Sequence, residues 1–396
     1  EYVEDSMESE ELLERLCPPV RNWFKDKFPD FTEPQKVAIP RILNGEHLLL
    51  CSPTGSGKTL TAFLTIIDDL VRRSLDGSLP DAVQCVYISP IKALANDIEK
   101  NLLGPLGEIK ERYLPSRAKE IKVGLRTGDT PQSEREKMLR KPPHILITTP
   151  ESMGLGLASK RFRPILDQMK WFIIDEMHSL VPTKRGTHLS LSMALMDSVV
   201  SSDVQRIGIS ATMEPLDAVA EFLVASDSRE SDIDPQKVAI AKISGDRELD
   251  LDIILPTPRF SSIPVKEILD HNVDRIKELA EAHTTTLVFV NTRNMTETVV
   301  QRLKIAGMEG VEGHHGSMDK AIRLDVESKL KNGVLRCVVS SSSLEMGIDI
   351  GSVDLVIQVG SPGSIATALQ RIGRAGHQVG GLPRACLLYT SPSPRD

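Results

Sequence analysis

The sequence predicts an α/β protein of two tandem domains, each a parallel sheet covered by helices on both faces. Three observations carry that reading. At 396 residues the chain is too long for one core of ordinary size and suits two. Short apolar, β-branched runs end in polar or Gly-rich turns and alternate with helical patterns. Such runs are what strands buried on both faces of a parallel sheet look like. The rhythm breaks once, between Ser226 and Pro264, in a stretch rich in Asp, Ser and Pro.

In chain order, the strands predicted for the first block are HLLLCS from His47, CVYIS from Cys85, KVGLR from Lys122, HILITT from His144, WFIIDE from Trp171 and RIGISAT from Arg206. Those of the second block are TLVFVNT from Thr286, RCVVSS from Arg336, DLVIQVG from Asp354 and ACLLYT from Ala385. This divides the chain into an extension over 1–32, a first domain over 33–225, a linker over 226–264, a second domain over 265–390 and a tail over 391–396 without fold signal. Within the linker, KVAIAKI and LDLDIIL read as paired linker strands. No internal repeat is visible.

Composition narrows the function. With 40% hydrophobic and 26% charged residues the chain reads as a globular, cytoplasmic protein rather than a disordered one. No apolar run approaches the ~20 residues of a membrane span, so no membrane partner is expected. No leader pattern opens the chain, and its first residue, Glu1 rather than Met, reads as a fragment of a longer protein. Cys17, Cys51, Cys85, Cys337 and Cys386 are scattered, with no CxxC pair, which predicts buried free thiols rather than disulfides or a zinc site. The net charge of -7 argues against nucleic-acid binding by bulk charge. Between Lys110 and Lys141, ten Lys/Arg stand against five Asp/Glu, which reads first as a solvated helical face.

Chemistry enters with CSPTGSGKT. A strand ends at Cys51, a turn follows, and a helical pattern starts at Thr59. Thr54, Gly55, Ser56 and Gly57 offer backbone N–H groups that can curl around phosphate oxygens in front of a helix N-terminus. Lys58 would reach the β- and γ-phosphates of a nucleotide, and the Thr59 hydroxyl would bind Mg²⁺. Ser52 stands where the usual GxxxxGK[ST] pattern has Gly, and a Gly-rich turn with one Lys can also be plain structure. WFIIDEMH then sets Asp175 and Glu176 directly after an apolar strand, at the carboxyl edge where α/β sheets bind ligands. Asp175 would hold Mg²⁺ and Glu176 would deprotonate the attacking water; alone, such acids also serve as helix N-caps. Finally, QRIGRAGH at Gln370 to His377 carries two arginines three apart, suited to an arginine finger on a γ-phosphate. Phosphate loop, acid pair and arginines, in that order across two α/β blocks, leave little room for the structural readings.

With these motifs the sequence resembles the superfamily 2 helicases, and within them the Lhr (large helicase-related) family, from about Phe24 to Tyr389. PTGSGKT resembles their motif I, DEMH the DExH form of motif II, and SAT at Ser210 to Thr212 motif III. YISPIKALANDI, GLRTGDT, TTPES, KRGTHLSL, SSSLEMGIDIG and QRIGRAGH are each close to the Lhr wording. His377 stands where most of the superfamily has Arg, as in Lhr-type proteins.

The resemblance implies two RecA-like domains and further roles. FTEPQKVAIP resembles the adenine-recognition motif, so Gln35 is expected to read the adenine edge, with Phe28 stacking nearby. Gly347 and Asp349 resemble motif V residues that touch the nucleotide. Arg374 is expected as the finger, with Gln370 beside the γ-phosphate and attacking water and His377 taking part of the missing arginine's role. Nucleic-acid contacts are expected from Pro90, Lys92, Arg126, Thr127, Gly128, Asp129, Thr149, Pro150 and Glu151 in the first domain. Thr292, Arg293, His315, Gly316 and Ser341 are their counterparts in the second. Hydroxyls, backbone amides and a few cations suit tracking a phosphate backbone without reading bases. A metal site at His314 and His315 is not expected, for no carboxylate or thiolate cluster accompanies them in the sequence.

The implied engine hydrolyses ATP with Mg²⁺ in the cleft between the domains and moves 3′ to 5′ on single-stranded or forked DNA, opening forks or RNA–DNA hybrids, as a monomer. A Ski-type RNA helicase shares the DExH motor and stays open as an alternative, as does a non-hydrolysing ATP-binding interaction module. Because the sequence stops just after ACLLYT, and SPSPRD departs from the family wording, the chain as written is expected to hydrolyse ATP in response to DNA but to separate duplexes poorly.

Overall fold

The computed structural model describes residues 1–53, 56–90, 98–201, 203–211, 213–224, 238–243, 249–255, 265–345, 353–375 and 382–390. The chain divides into two compact units, Glu1–Gly245 and Asp246–Asp396. Among the described residues the first unit holds a seven-stranded sheet of β1 (His47–Cys51), β2 (Cys85–Ile88), β3 (Val123–Arg126), β4 (Ile145–Thr148), β5 (Trp171–Ile174), β6 (Gln205–Ser210) and β7 (Val238–Lys242). They lie in the order β3-β4-β2-β5-β6-β1-β7, every neighbouring pair parallel.

Parallel strands need covering helices, and alternation along each strand shows the cover. Leu48 and Leu50 of β1 enter one core with Ile173 of β5. Leu49 and Cys51 enter the other, with Phe172 and Ile174. The helix Lys58–Asp76 closes one face with Leu60, Phe63, Leu64, Ile67, Leu70 and Val71, and Gly77 ends it at φ 81°, the left-handed conformation that glycine adopts without Cβ strain. On the other face, Gly208 of β6 is required by packing: a Cβ there would lie 2.3 Å from the Met177 sulfur. The short helix after the acid pair can thus lie flat on the strand.

The second unit carries, among the described residues, a six-stranded sheet of β8 (Asp250–Ile254), β9 (Thr286–Phe289), β10 (Val311–His314), β11 (Cys337–Ser340), β12 (Leu355–Val359) and β13 (Arg384–Leu388), ordered β10-β11-β9-β12-β13-β8 and again all parallel. Val288 and Phe289 of β9 feed opposite cores. All five cysteines are buried free thiols.

The linker strands correct the sequence reading. KVAIAKI and LDLDIIL do not pair with each other: β7 pairs with β1 in the first sheet and β8 with β13 in the second. Each completes a sheet edge by parallel pairing, which a short local connection cannot provide. Residues 1–32 likewise pack into the first unit. Leu12, Leu16, Val20, Trp23 and Phe24 are buried in its core, and the Val3 N–H donates to the Ile240 carbonyl at 3.0 Å. The basic run ends in the helix Gln132–Arg140, which buries none of its residues. No described helix is long and apolar enough to cross a membrane.

Candidate functional site

Parallel sheets gather the loops that follow their strands at one edge, and here that edge is sorted. Along β5-β6-β1 of the first sheet emerge Asp175 and Glu176, then Ser210 and Ala211, then the phosphate loop. Along β3-β4-β2 emerge Arg126 to Asp129, then Thr149 to Glu151, then Pro90. The residues expected to meet nucleotide and those expected to meet nucleic acid therefore occupy separate halves of one edge.

In the phosphate loop, Gly57 sits at φ 87° and starts the helix Lys58–Asp76, with Lys58 and Thr59 half-buried in its first turn. The Lys58 ammonium donates to the carbonyls of Ser52 and, at 2.9 Å, Pro53. Ser56 Oγ donates to the Pro53 carbonyl at 2.8 Å and accepts from Ser52 Oγ at 2.8 Å, so the Ser in place of Gly is built into the loop. Gln35 is buried against it: a Cβ on Gly57 would lie 3.2 Å from Gln35 Nε2. Gln35 also closes a capping box, its Oε1 accepting from the Thr32 N–H at 2.9 Å, while Thr32 Oγ1 donates to the Ser56 carbonyl at 3.0 Å. Its amide N–H₂ faces the phosphate loop, so its place in the capping box is compatible with the expected role of adenine reader. Phe28 is half-buried and packs on Trp23 and Phe24, at 5.8 and 5.1 Å between ring centroids.

Asp175 is 4% exposed and held on both oxygens. Oδ1 accepts the Glu176 N–H at 2.8 Å and Oδ2 accepts the Tyr87 hydroxyl. Tyr87 is fully buried on β2, next to β5; in the sequence it reads as one more apolar strand residue, and only this pairing reveals its role. Glu176 has φ 52°, the one positive φ outside glycine among the described residues. For a side chain with a Cβ this costs about 1 kcal/mol or more, and it marks a position whose side-chain direction matters.

His178 links the acid pair to the end of β6. Its Nδ1 accepts the Ala211 N–H at 3.1 Å, its own N–H donates to Ser210 Oγ at 3.2 Å, and its Nε2 lies 3.3 Å from Glu176 Oε2. Burial, with Lys58 adding to it and Glu176 opposing, holds the imidazole pKa below its usual value. A backbone N–H can only donate, so Nδ1 is the bare nitrogen and Nε2 carries the proton toward Glu176.

The residues expected to meet nucleic acid are partly committed to the fold. Thr149 caps the helix Pro150–Leu157, accepting from the Ser152 N–H at 3.3 Å. Glu151 pairs with Arg185 of KRGTHLSL through both carboxylate oxygens, at 2.5 and 3.1 Å, and Arg185 brings its pKa down to about 2. Pro90 is buried, whereas Gly128 and Asp129 are exposed. Arg126 lies over the Phe162 ring, 4.7 Å from its centroid.

In the second unit, Thr292 and Arg293, His315 and Gly316, and Ser341 follow β9, β10 and β11, which are neighbours. Thr292 caps the helix Arg293–Ile305 through the Met295 N–H at 3.2 Å; Arg293 and Gly316 are exposed, and Ser341 is buried. Both histidines of the pair are buried and hydrogen-bonded within the second unit. His314 is buried between Ser343 Oγ at 2.7 Å and Glu327 Oε1 at 3.1 Å, and the His315 ring is buried with Nε2 3.0 Å from Glu297. Each imidazole has a carboxylate that sequence spacing did not reveal, and the described residues hold no metal-binding cluster of three or more His, Cys, Asp or Glu.

The two arginines of QRIGRAGH separate cleanly. Arg371 donates to Glu345 and, at 2.6 Å, to Gln358 Oε1, and lies over the Phe289 ring at 5.0 Å. It is a brace for the second unit. Gln370 and Arg374 are buried at the end of the helix Ile365–Ile372. Thr54, Gly55, Lys92, Gly347, Asp349 and His377 lie outside the described residues.

Comparison with known proteins matches each unit to a helicase domain family. The DEAD/DEAH box helicase family matches residues 32–220, and the Helicase conserved C-terminal domain matches 267–378. The ATP-dependent helicase Lhr-Core of Methanocaldococcus jannaschii is 46% identical over 381 residues, covering 96% of this chain and 44% of that protein. Lhr-Core of Methanothermobacter thermautotrophicus is 48% identical over 377 residues, covering 94% of this chain and 43% of that protein. The structure of Mycobacterium smegmatis helicase Lhr bound to ssDNA and AMP-PNP superposes with a TM-score of 0.81 at 41% identity, covering 96% of this chain and 48% of that one. The chain spans less than half the length of these relatives.

Proposed function

The chain belongs to the Lhr family of ATP-dependent helicases, and on that premise we propose that it hydrolyses ATP to move along single-stranded DNA in the 3′ to 5′ direction. The observation that carries the reading is the sorted sheet edge: a phosphate loop, acid pair and His178 on one half, exposed backbone and a stacked arginine on the other. The relative of known structure holds ssDNA and AMP-PNP, a ligand pair that these two halves suit.

In this mechanism Lys58, freed from the Ser52 and Pro53 carbonyls, takes the β- and γ-phosphates of ATP. Asp175 and the Thr59 hydroxyl are hard oxygen donors of the kind Mg²⁺ takes alongside phosphate and water, and the orientation of Asp175 by Tyr87 and the Glu176 N–H fits that duty. The ion, when bound, supplies charge neutralisation at the phosphates. Glu176 accepts the proton of the attacking water, aimed by the His178 Nε2–H. Gln370 orients that water and Arg374 stabilises the γ-phosphate as it leaves. Gln35 reads adenine through its amide. Forked DNA and RNA–DNA hybrids are further substrates in this reading, acted on in the cytoplasm by a monomer.

The test is ATP hydrolysis with matched single-stranded DNA and RNA, followed by strand displacement with 3′ and 5′ overhangs. Stimulation by DNA over RNA and displacement from 3′ overhangs are expected. Preferential stimulation by RNA would move the chain to the Ski-type reading, and nucleotide binding without phosphate release would make it an ATP-binding module.

A further inference from the structure

The loop after β3 contains a device that its motif wording does not assign. Thr127 to Thr130 form a turn in which the Thr130 N–H donates to the Thr127 carbonyl at 3.3 Å. From the helix Gln132–Arg140, Arg135 brings a single guanidinium nitrogen, Nη2, onto two successive carbonyls of that turn, Thr127 O at 2.9 Å and Gly128 O at 3.0 Å. In a trans peptide the N–H points opposite to the C=O. Drawing both carbonyls toward Arg135 therefore turns the N–H groups of Gly128 and Asp129 away from it, and both residues are exposed. The Asp129 N–H leans on Thr127 Oγ1 at 3.3 Å, while the Gly128 N–H meets no acceptor among the described residues.

The charge around the turn points the same way. Arg126, fixed over Phe162, is near enough to Arg135 that burial first, and then that second guanidinium, push its pKa down. Neither arginine has a carboxylate partner among the described residues. Two guanidiniums without an ion-pair partner among the described residues, beside outward backbone N–H groups, attract an anion, and successive N–H groups on one concave face form a nest for phosphate.

We propose that Arg135 is a positioning residue: it shapes the Thr127–Thr130 turn so that the Gly128 N–H, beside the Arg126 guanidinium, binds one phosphate of single-stranded DNA. The inference rests on the functional reading above and deepens it. Arg135 acts through the turn and does not itself touch the phosphate.

A double-mutant cycle on binding to a fluorescein-labelled oligodeoxythymidine separates these roles. Arg135→Met removes the donors and keeps the stem. Gly128→Pro removes the N–H and keeps the turn, because Gly128 lacks a positive φ and the second position of such a turn accepts proline. Each single variant should bind roughly ten-fold more weakly, the loss of one charge-assisted hydrogen bond, and the double variant no more weakly than either. Arg135→Lys, which retains an ammonium donor for the two carbonyls, should recover most of the loss, and thermal melting confirms that each variant is folded. Additive losses would make Arg135 an independent phosphate contact and overturn the proposal. So would a Gly128→Pro variant that binds as the unaltered chain does. Failure of the unaltered chain to bind the oligonucleotide would defeat the functional reading and this inference with it.

Discussion

His178 and Glu176 face each other at 3.3 Å, with the imidazole tautomer set from behind by the Ala211 N–H. The proton that faces Glu176, the proposed general base, is thus fixed by the backbone at the end of β6. Replacing His178 by Phe keeps a buried ring and removes this hydrogen bond. We expect kcat for ATP hydrolysis to fall roughly ten-fold, the worth of one such bond, with KM for ATP little changed. A loss confined to KM would remove His178 from the orientation of Glu176.

Lys58→Ala and Glu176→Gln should both abolish most turnover, for different reasons. Without the Lys58 ammonium, ATP binding weakens. Glu176→Gln keeps the phosphate loop intact and loses the base, worth about 10²–10⁴-fold, so ATP is bound and retained. Nucleotide binding and single-turnover hydrolysis distinguish the two, and hydrolysis by Glu176→Gln within a few-fold of the unaltered chain would end its assignment as base.

Gln35 closes a capping box and, in the proposed mechanism, also reads adenine; substitution can part the two. Gln35→Ala should weaken ATP far more than GTP, by roughly 1–3 kcal/mol for an unmatched polar group. Gln35→Glu keeps the acceptor for the Thr32 N–H and so keeps the capping box, but loses the amide donor. It should melt like the unaltered chain and still lose ATP preference. Equal loss of both nucleotides in both variants would leave Gln35 only its structural part.

Arg371 and Glu345 are both largely buried, and burial raises the Glu345 pKa against the pull of Arg371. Arg371→Met should strand that carboxylate and destabilise the second unit by about 3 kcal/mol, while Arg371→Met with Glu345→Gln should recover part of it. Calorimetric unfolding reads both. An unstable double variant, no better than the single, would show that Arg371 matters through packing on Phe289 instead.

Buried histidines make the fold acid-sensitive. His144 is fully buried, its Nδ1 accepts the Lys122 N–H at 2.9 Å, and burial first, then Lys119 and Lys122, bring its pKa down to about 4. The unfolded chain binds the proton more readily, near pH 6.5. Stability is therefore complete above about pH 6.5 and is lost as pH falls toward 4, by roughly 2–3 kcal/mol for this residue. His144→Asn retains an acceptor for Lys122 and should flatten the fall of the melting temperature between those limits. An unchanged slope would exclude His144 as its source.

The phosphate loop, the acid pair and the alternating strands were legible in the sequence because each is local. A Gly-rich turn before a helix, two acids at a strand end and a run such as HLLLC declare themselves within a few neighbours. Partners remote in sequence were not. Tyr87 looked like any core residue until β2 paired with β5 and set its hydroxyl on Asp175. Arg371 and Arg374 are alike by spacing, and only the resemblance singled out Arg374; the fold gives Glu345 and Gln358 to Arg371. KVAIAKI and LDLDIIL read as a local pair because spacing says nothing about which sheet edge is open; the structure sends one to each sheet. The proposed chemistry, carried by short runs of residues, was thus legible in the sequence alone. The hydrogen bonds that orient it were decided only by the tertiary structure, since they join groups up to 88 positions apart, as in the Tyr87–Asp175 pair, and depend on strand order that no local pattern encodes.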